Sequence, residues 1–333
     1  MTGKAAQDDA LIEHANQSIA VGSKSFAAAS KLFDEQTRRG AVMLYAWCRH
    51  CDDVIDGQVA GHDAVSISRE EAERRLAHLQ AQTRAVYNGE ALDDPAFAAF
   101  RQVVLAHQIP EQHALEHLAG FEMDVLERRY LSIDDTLQYC YHVAGVVGLM
   151  MARVMGARDE PTLDRACDLG LAFQLTNIAR DIIPDAAVGR CYLPEQWLEE
   201  LGVPRDQVAD IHHRPAIAVL GQRLVELAEP YYDSAQAGLA ALPWRSAWAV
   251  ATAAAVYRQI GMKVLEAGEH AWDERISTSK AEKIGAVSIG LWRAVTSRFA
   301  RWPARSGQLW QRPRPSCAAD HRASPAAAPS DAP

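Results

Sequence analysis

Apolar residues recur along this chain at intervals of three and four, separated by charged and amide positions, and long β-branched alternations are missing. The pattern predicts helices over 9–20, 36–56, 69–87, 95–107, 111–129, 134–156, 161–183, 214–241, 246–271 and 279–299. Gly57, Asn88-Gly89, Asp94-Pro95, Ile109-Pro110, Pro161, Gly189 and Gly202-Val203-Pro204 punctuate many of the junctions. Ala, Leu, Glu, Gln and Arg, all good helix formers, fill the segments. The expected fold class is therefore all-α. No fixed-period repeat is visible. The longest apolar runs, 143–152 and 247–256, are about half the roughly 18 to 20 residues a spanning helix needs.

Composition refines this picture. With 333 residues, 49% of them hydrophobic, the chain can bury a large core and line an apolar cavity. Its 34 basic and 43 acidic residues give a net charge of -9, the reverse of a duplex nucleic-acid binder. The N-terminus turns acidic at Asp8-Asp9 with no apolar signal core, which points to the cytoplasm. Six scattered cysteines include a lone Cys48-x-x-Cys51 pair with no second ligand pair, read as structural thiols. Residues 301–333 hold six of the 15 prolines and a net charge of +3, leaving -12 for the rest. The expected organisation is one helical domain, 1–300, followed by a disordered Pro/Ala/Arg-rich tail, 301–333. In that tail Trp302 and Trp310 among arginines are candidate contacts to a membrane surface.

Candidate chemistry concentrates in two acidic motifs. In Tyr45-Ala-Trp-Cys-Arg-His-Cys-Asp-Asp-Val-Ile-Asp56, the residues Tyr45, Arg49, Asp52 and Asp56 fall within about 60° on a helix, with Asp53 beside them. Clustered carboxylates repel one another and suit a hard divalent cation. The alternative is a solvated helix end, although negative charge at a helix C-terminus opposes the macrodipole. In Gln174-Leu-Thr-Asn-Ile-Ala-Arg-Asp-Ile-Ile-Pro-Asp185, the residues Gln174, Asn177, Asp181 and Asp185 share an arc of about 80°, with Arg180 adjacent. Pro184 should kink or end that helix. Two Asp-x-x-x-Asp pairs on separate helices are more specific than either alone, and facing each other they could hold Mg²⁺ ions that share a diphosphate. No P-loop or dinucleotide fingerprint is present. His113 and His117 have i,i+4 spacing but no HExxH pattern, and are expected to be exposed.

On these motifs the sequence resembles the squalene/phytoene synthases. Leu169-Gly170, Gln174, Asn177, Arg180-Asp181, Asp185, Arg190, Tyr192 and Pro194 fit one family signature, and Tyr139-Cys-Tyr-His-Val-Ala-Gly-Val-Val-Gly148 fits the other. Ser23-Lys24-Ser25-Phe26 and the first Asp motif also fit, and the likeness is to the enterobacterial type of the phytoene branch. The resemblance implies an isoprenoid-synthase helical bundle around a central apolar cavity. It implies head-to-head joining of two geranylgeranyl diphosphates, through prephytoene diphosphate, to phytoene. Within the family the alternative is squalene or dehydrosqualene synthesis from farnesyl diphosphate. Outside it stand a terpene cyclase or chain-elongating enzyme and a non-enzymatic helical scaffold.

The resemblance also assigns roles. Asp52, Asp56, Asn177, Asp181 and Asp185 are the expected ligands of Mg²⁺ or Mn²⁺, with Asp53 as helper. Ser23, Lys24, Ser25, Arg49, Gln174, Arg180, Arg190, Arg275 and Lys283 are candidate diphosphate contacts. Tyr139 and Tyr257 are expected to face the cavity, with Asp124 supporting the site. Phe26, Val143, Ala144, Val147, Leu171 and the 247–256 stretch are candidate walls. No NADPH is expected, while an ATP that is not consumed stays open. Expected partners are the prenyl diphosphate, the inner face of the plasma membrane as a peripheral surface, and neighbouring carotenoid-pathway enzymes, without nucleic acid.

Overall fold

The computed structural model describes residues 2–22, 24–57 and 68–314, with the backbone alone for 2–9, 21–22 and 24–25. Ser23 lies outside the described residues, as do the side chains of Lys24 and Ser25, so these three expected substrate contacts are not placed. Residues 315–333 of the tail also lie outside them.

Among the described residues there are helices and turns and no strands. The α-helices are α1 (Thr2–Gly22), α2 (Lys24–Ser30), α3 (Glu35–Asp56), α4 (Arg69–Tyr87), α5 (Pro95–His107), α6 (Glu111–Val125), α7 (Ile133–Cys140), α8 (Val146–Val154), α9 (Glu160–Ala187), α10 (Glu195–Glu200), α11 (Arg214–Gly238), α12 (Trp244–Ala267) and α13 (Lys280–Thr296). Their starts follow from side chains that satisfy otherwise unpaired N–H groups. Asp34 accepts from the Thr37 amide, Asp94 from Ala96, and Asp159 from Thr162. Ser132 with Asp135, and Ser279 with Glu282, form reciprocal capping boxes. Gly57, in the left-handed region at φ 62°, ends α3 directly after Asp56.

Three expectations about local structure are corrected. The segment predicted as one helix over 134–156 is instead α7, a π-helical turn at Tyr141–Gly145, and α8. Here α9 crosses very closely: a Cβ on Gly170 would lie 2.4 Å from the Ala144 carbonyl oxygen, and one on Gly148 would lie 2.4 Å from that of Ala166. Pro184 does not stop α9, which runs on to Ala187. It sits in the last turn, where little helix remains for it to disturb. His113 and His117, expected at the surface, are buried, and His117 donates from Nδ1 to the His142 carbonyl at 3.2 Å.

The tail also departs from expectation over 301–314, which packs onto α9 and α11. Arg305 grips the fully buried Asp168 at 2.8 and 2.7 Å, and Arg312 and Arg314 reach Asp164 and Glu160. The Trp310 amide donates to the Tyr231 hydroxyl at 3.1 Å, and its ring lies against Tyr141. Proline content and positive charge suggested a solvated segment. Four acceptors on the facing helices and the buried Leu309 instead hold it in place. Trp310 is thereby turned inward, and the Trp302 indole donates to the Ser297 carbonyl.

Candidate active site

A cavity of about 520 Å³ runs through the bundle between α3, α8, α9 and α12. Its chemistry is graded because two helices are graded in the same sense. On α9 the lining changes from Ala166, Leu169 and Phe173 to Gln174 and Asn177, and on α3 from Leu44 and Tyr45 to Arg49, Asp52 and Asp56. From Thr162 to Asn177 the wall on α9 is about 22 Å long at 1.5 Å per residue. One end is therefore apolar and the other is rich in carboxylate and guanidinium.

At the polar end the two acidic motifs are linked by Arg190. It follows α9, where Gly189 at φ 81° turns the chain back, and its guanidinium pairs with Asp56 on α3. Arg49 holds Asp52 and Asp53, each at 2.9 Å. Arg180 pairs with its neighbour Asp181, and the exposed Arg275 approaches Asp181 at 3.9 Å. Asn177 donates to Gln174 at 3.3 Å. Burial, reinforced by the Asp56 charge, pushes Asp52 up to about 6. Burial and then Asp181 push Asp185 up to about 7. Among the described residues these six carboxylates, Asp124 included, meet four arginines, so this set carries surplus negative charge. Among the described residues no three His, Cys, Asp or Glu side chains converge as a self-contained metal cage.

Asp124 is the hub of the adjoining wall. It accepts from the Tyr139 hydroxyl at 3.2 Å and the Tyr192 hydroxyl at 3.1 Å, and the two rings stack with centroids 4.5 Å apart. Burial pushes Asp124 up to about 6, against the opposing pull of Arg190 and the two hydroxyls. Tyr257 stacks on Phe173 at 4.2 Å and lines the cavity from α12. Tyr192 was visible as part of a signature, but residue chemistry alone gave it no role.

The structure brings together Asp52, Asp56, Arg49, Tyr139, Tyr257, Gln174, Asn177 and Arg190 on the cavity wall. Asp53 stands beside them through its pair with Arg49, Arg180 and Asp181 pair with each other near Tyr257, and Asp185 contacts a small adjoining pocket with Arg190. Lys283 lies in the first turn of α13 and is not part of the lining. Phe26, Val143, Ala144, Val147 and part of the 247–256 stretch line the cavity as expected, whereas Leu171 faces the solid core. The described cysteines are free, and burial pushes the Cys48 and Cys51 thiols up, which suits inert structural thiols.

An all-helical bundle around an apolar cavity, with two acidic helix faces at one end, defines an isoprenoid-synthase fold. It superposes on a dehydrosqualene synthase in complex with ligand with a TM-score of 0.77 at 25% identity, covering 87% of this chain and 98% of that one. The fold is also that of a squalene synthase from Alicyclobacillus acidocaldarius, with a TM-score of 0.69 at 21% identity over 79% and 96% of the two chains. Residues 19–282 match the squalene/phytoene synthase family, and the chain belongs to that family. It is 61% identical over 293 residues to the 15-cis-phytoene synthase of Enterobacter agglomerans, covering 88% of this chain and 99% of the relative. It is 58% identical over 303 residues to that of Pantoea ananas, covering 91% and 98%.

Proposed function

We propose that this chain is a prenyltransferase that joins two geranylgeranyl diphosphates head to head to give phytoene, the entry step of carotenoid biosynthesis. The observation that carries the reading is the near full-length identity of 58–61% to phytoene synthases. The polarised cavity supplies the physical counterpart. The squalene-type alternative has less support, since the dehydrosqualene synthase shares 25% identity.

Arg49 and Arg190, on the wall beside the carboxylates, would grip diphosphate oxygens. The surplus negative charge and all-oxygen donor set fit a hard divalent cation that shares its shell with phosphate and water. Asp52, Asp56, Asn177, Asp181 and Asp185 would hold Mg²⁺ or Mn²⁺, which when bound supplies positive charge to the leaving diphosphate. The allylic carbon that loses diphosphate is met by the double bond of the second chain, in a space walled by Val143, Val147 and Phe173 that excludes water. The stacked Tyr139 and Tyr192 rings offer π faces to passing positive charge. Closure of the cyclopropane releases one proton, and loss of the second diphosphate from that intermediate is followed by departure of a second proton; the two released diphosphates take up both, which balances the reaction. No nicotinamide reductant enters it.

The outer face of α13 supports a peripheral position on an anionic bilayer. Its inward residues are the small Ala286, Gly290 and Ala294, while Ile284, Trp292 and Val295, and Phe299 in the turn just after the helix, are exposed, Trp292 with 70% and Phe299 with 84% of its surface. Lys280, Lys283, Arg293, Arg298 and Arg301 concentrate basic charge in this stretch of a chain of net charge -9. No described helix is long and apolar enough to cross a membrane. A combined Trp292→Ser and Phe299→Ser variant should lose flotation with phosphatidylglycerol vesicles, and equal flotation would remove this surface.

The decisive assay is purified protein with the C20 diphosphate and Mg²⁺, without NADPH. A C40 hydrocarbon with two diphosphates released per molecule is expected. C30 product from the C15 substrate with no C40 product from the C20 one would overturn the reading.

A further inference from the structure

A charged residue lines the apolar end of the cavity. Arg165, on α9, contributes to the lining beside Thr162 and Ala166. The next polar lining residue along α9 is Gln174, about 14 Å away by helix rise. The guanidinium placed there is tied to backbone carbonyls through two of its N–H groups. Nη1 donates to the Ser234 carbonyl on α11 at 2.9 Å, and Nη2 to the Pro303 carbonyl at 2.7 Å. The stem packs against α11, since a Cβ on Gly238 would meet Arg165 Cβ at 3.0 Å and Cδ at 3.5 Å. The methylenes of Arg165 thus lie against Gly238, itself a lining residue, while its charge is held by the Ser234 carbonyl and by the strap formed by residues 301–314.

That strap is held tightly by the Arg305–Asp168 pair one helical turn from Arg165, with Arg312 on Asp164. It lies beyond the residues matching the family, 19–282. We propose that Arg165, locked from outside by the Pro303 carbonyl, is the floor of the cavity and sets the longest prenyl tail the enzyme accepts. The inference rests on the prenyl diphosphate reading and adds to it a specificity-determining residue. A long aliphatic side chain tied at its far end is a stiffer stop than a free one, because chain growth in the substrate must break two hydrogen bonds to displace it.

The test compares wild type, Arg165→Ala and Ala166→Leu on C15, C20 and C25 prenyl diphosphates, reading kcat/KM for each, product length and the melting temperature. Arg165→Ala should raise the C25:C20 ratio by about tenfold or more, the scale of discrimination that a pocket wall supplies per group. Ala166→Leu, which fills space next to the floor, should move preference the other way, raising the C15:C20 ratio. A folded Arg165→Ala protein with an unchanged C25:C20 ratio overturns the proposal. If that variant does not fold, an unchanged C15:C20 ratio in Ala166→Leu does so. Failure of the wild type to make any C40 hydrocarbon from the C20 substrate would instead sink the functional reading, whatever the ratios show.

Discussion

Gly170→Ala is expected to be among the most damaging single-methyl changes in this protein. The added Cβ would lie 2.4 Å from the Ala144 oxygen, 2.7 Å from its carbonyl carbon and 2.7 Å from Gly145 Cα, all backbone atoms of the π-helical turn. Ordinary contact begins near 3.4 Å, so α9 and the turn must part by about 1 Å, and no side-chain rotation can relieve the overlap. Overpacking of this kind costs about 3 kcal/mol, the upper part of the usual range, because a 28-residue helix must shift as a body. In a chain of this size the melting temperature should fall by roughly 4 °C. The same turn carries Val143 and Ala144, so C20 turnover should drop alongside stability. Calorimetry and a C40 product assay at a temperature where the variant is folded measure the two effects. Gly285→Ala is the control: nothing lies within 4 Å of its Cβ position, and it should gain up to about 1 kcal/mol by rigidifying the helix backbone. If Gly170→Ala melts where its parent does, α9 and the turn do not cross at backbone contact.

Further outcomes follow from the same structure. Asp52→Asn and Asp181→Asn should each lower turnover by about 100-fold or more, as expected when charge at a developing leaving group is lost, with little change in melting temperature; retained activity in both would deny these motifs a role. Asp168→Asn should cost about 3–5 kcal/mol by leaving Arg305 buried without its partner, and a thermal melt of the parent's value would show the strap to be energetically idle. Burial pushes His113 and His117 down to about 4 from 6.5. The unfolded chain therefore takes up their protons first, so their stabilisation is complete above pH 6.5 and is lost as pH falls toward 4, by roughly 3 kcal/mol for each. His117→Gln should flatten the melting-temperature profile between pH 7 and 5, and an unaltered slope would contradict the burial argument.

The legible parts of this fold were those set by local chemistry. Gly57, Asn88-Gly89 and Asp94-Pro95 marked helix junctions, and the shared faces of Asp52/Asp56 and Asp181/Asp185 announced the polar end of the cavity. What stayed hidden depended on contacts distant in sequence. The π-helical turn at Tyr141–Gly145 coincides with a crossing by α9. His113 and His117 look like surface residues until α6 is packed against its neighbours. Arg165 reads as an ordinary solvated arginine, because both its carbonyl partners come from elsewhere in the chain, one of them 138 residues away. The strap was misread for the same reason: prolines and arginines carry no sign of the buried Asp168 that receives them.

The strap also imposes an order on how the enzyme is completed. Arg305 finds Asp168 across 137 residues, and Arg312 finds Asp164 across 148. Chains are made from the N-terminus, and helices already released can pack while the rest is still being translated. The helices that line the cavity are therefore all outside the ribosome before the segment that fixes its base exists. A nascent chain stopped short of residue 305 would have its acidic mouth in place and its greasy bore still without its outer brace. Capacity to hold a long hydrocarbon is thus tied to the final stretch of synthesis, and premature termination should yield proteins that expose apolar surface rather than proteins that are merely slower.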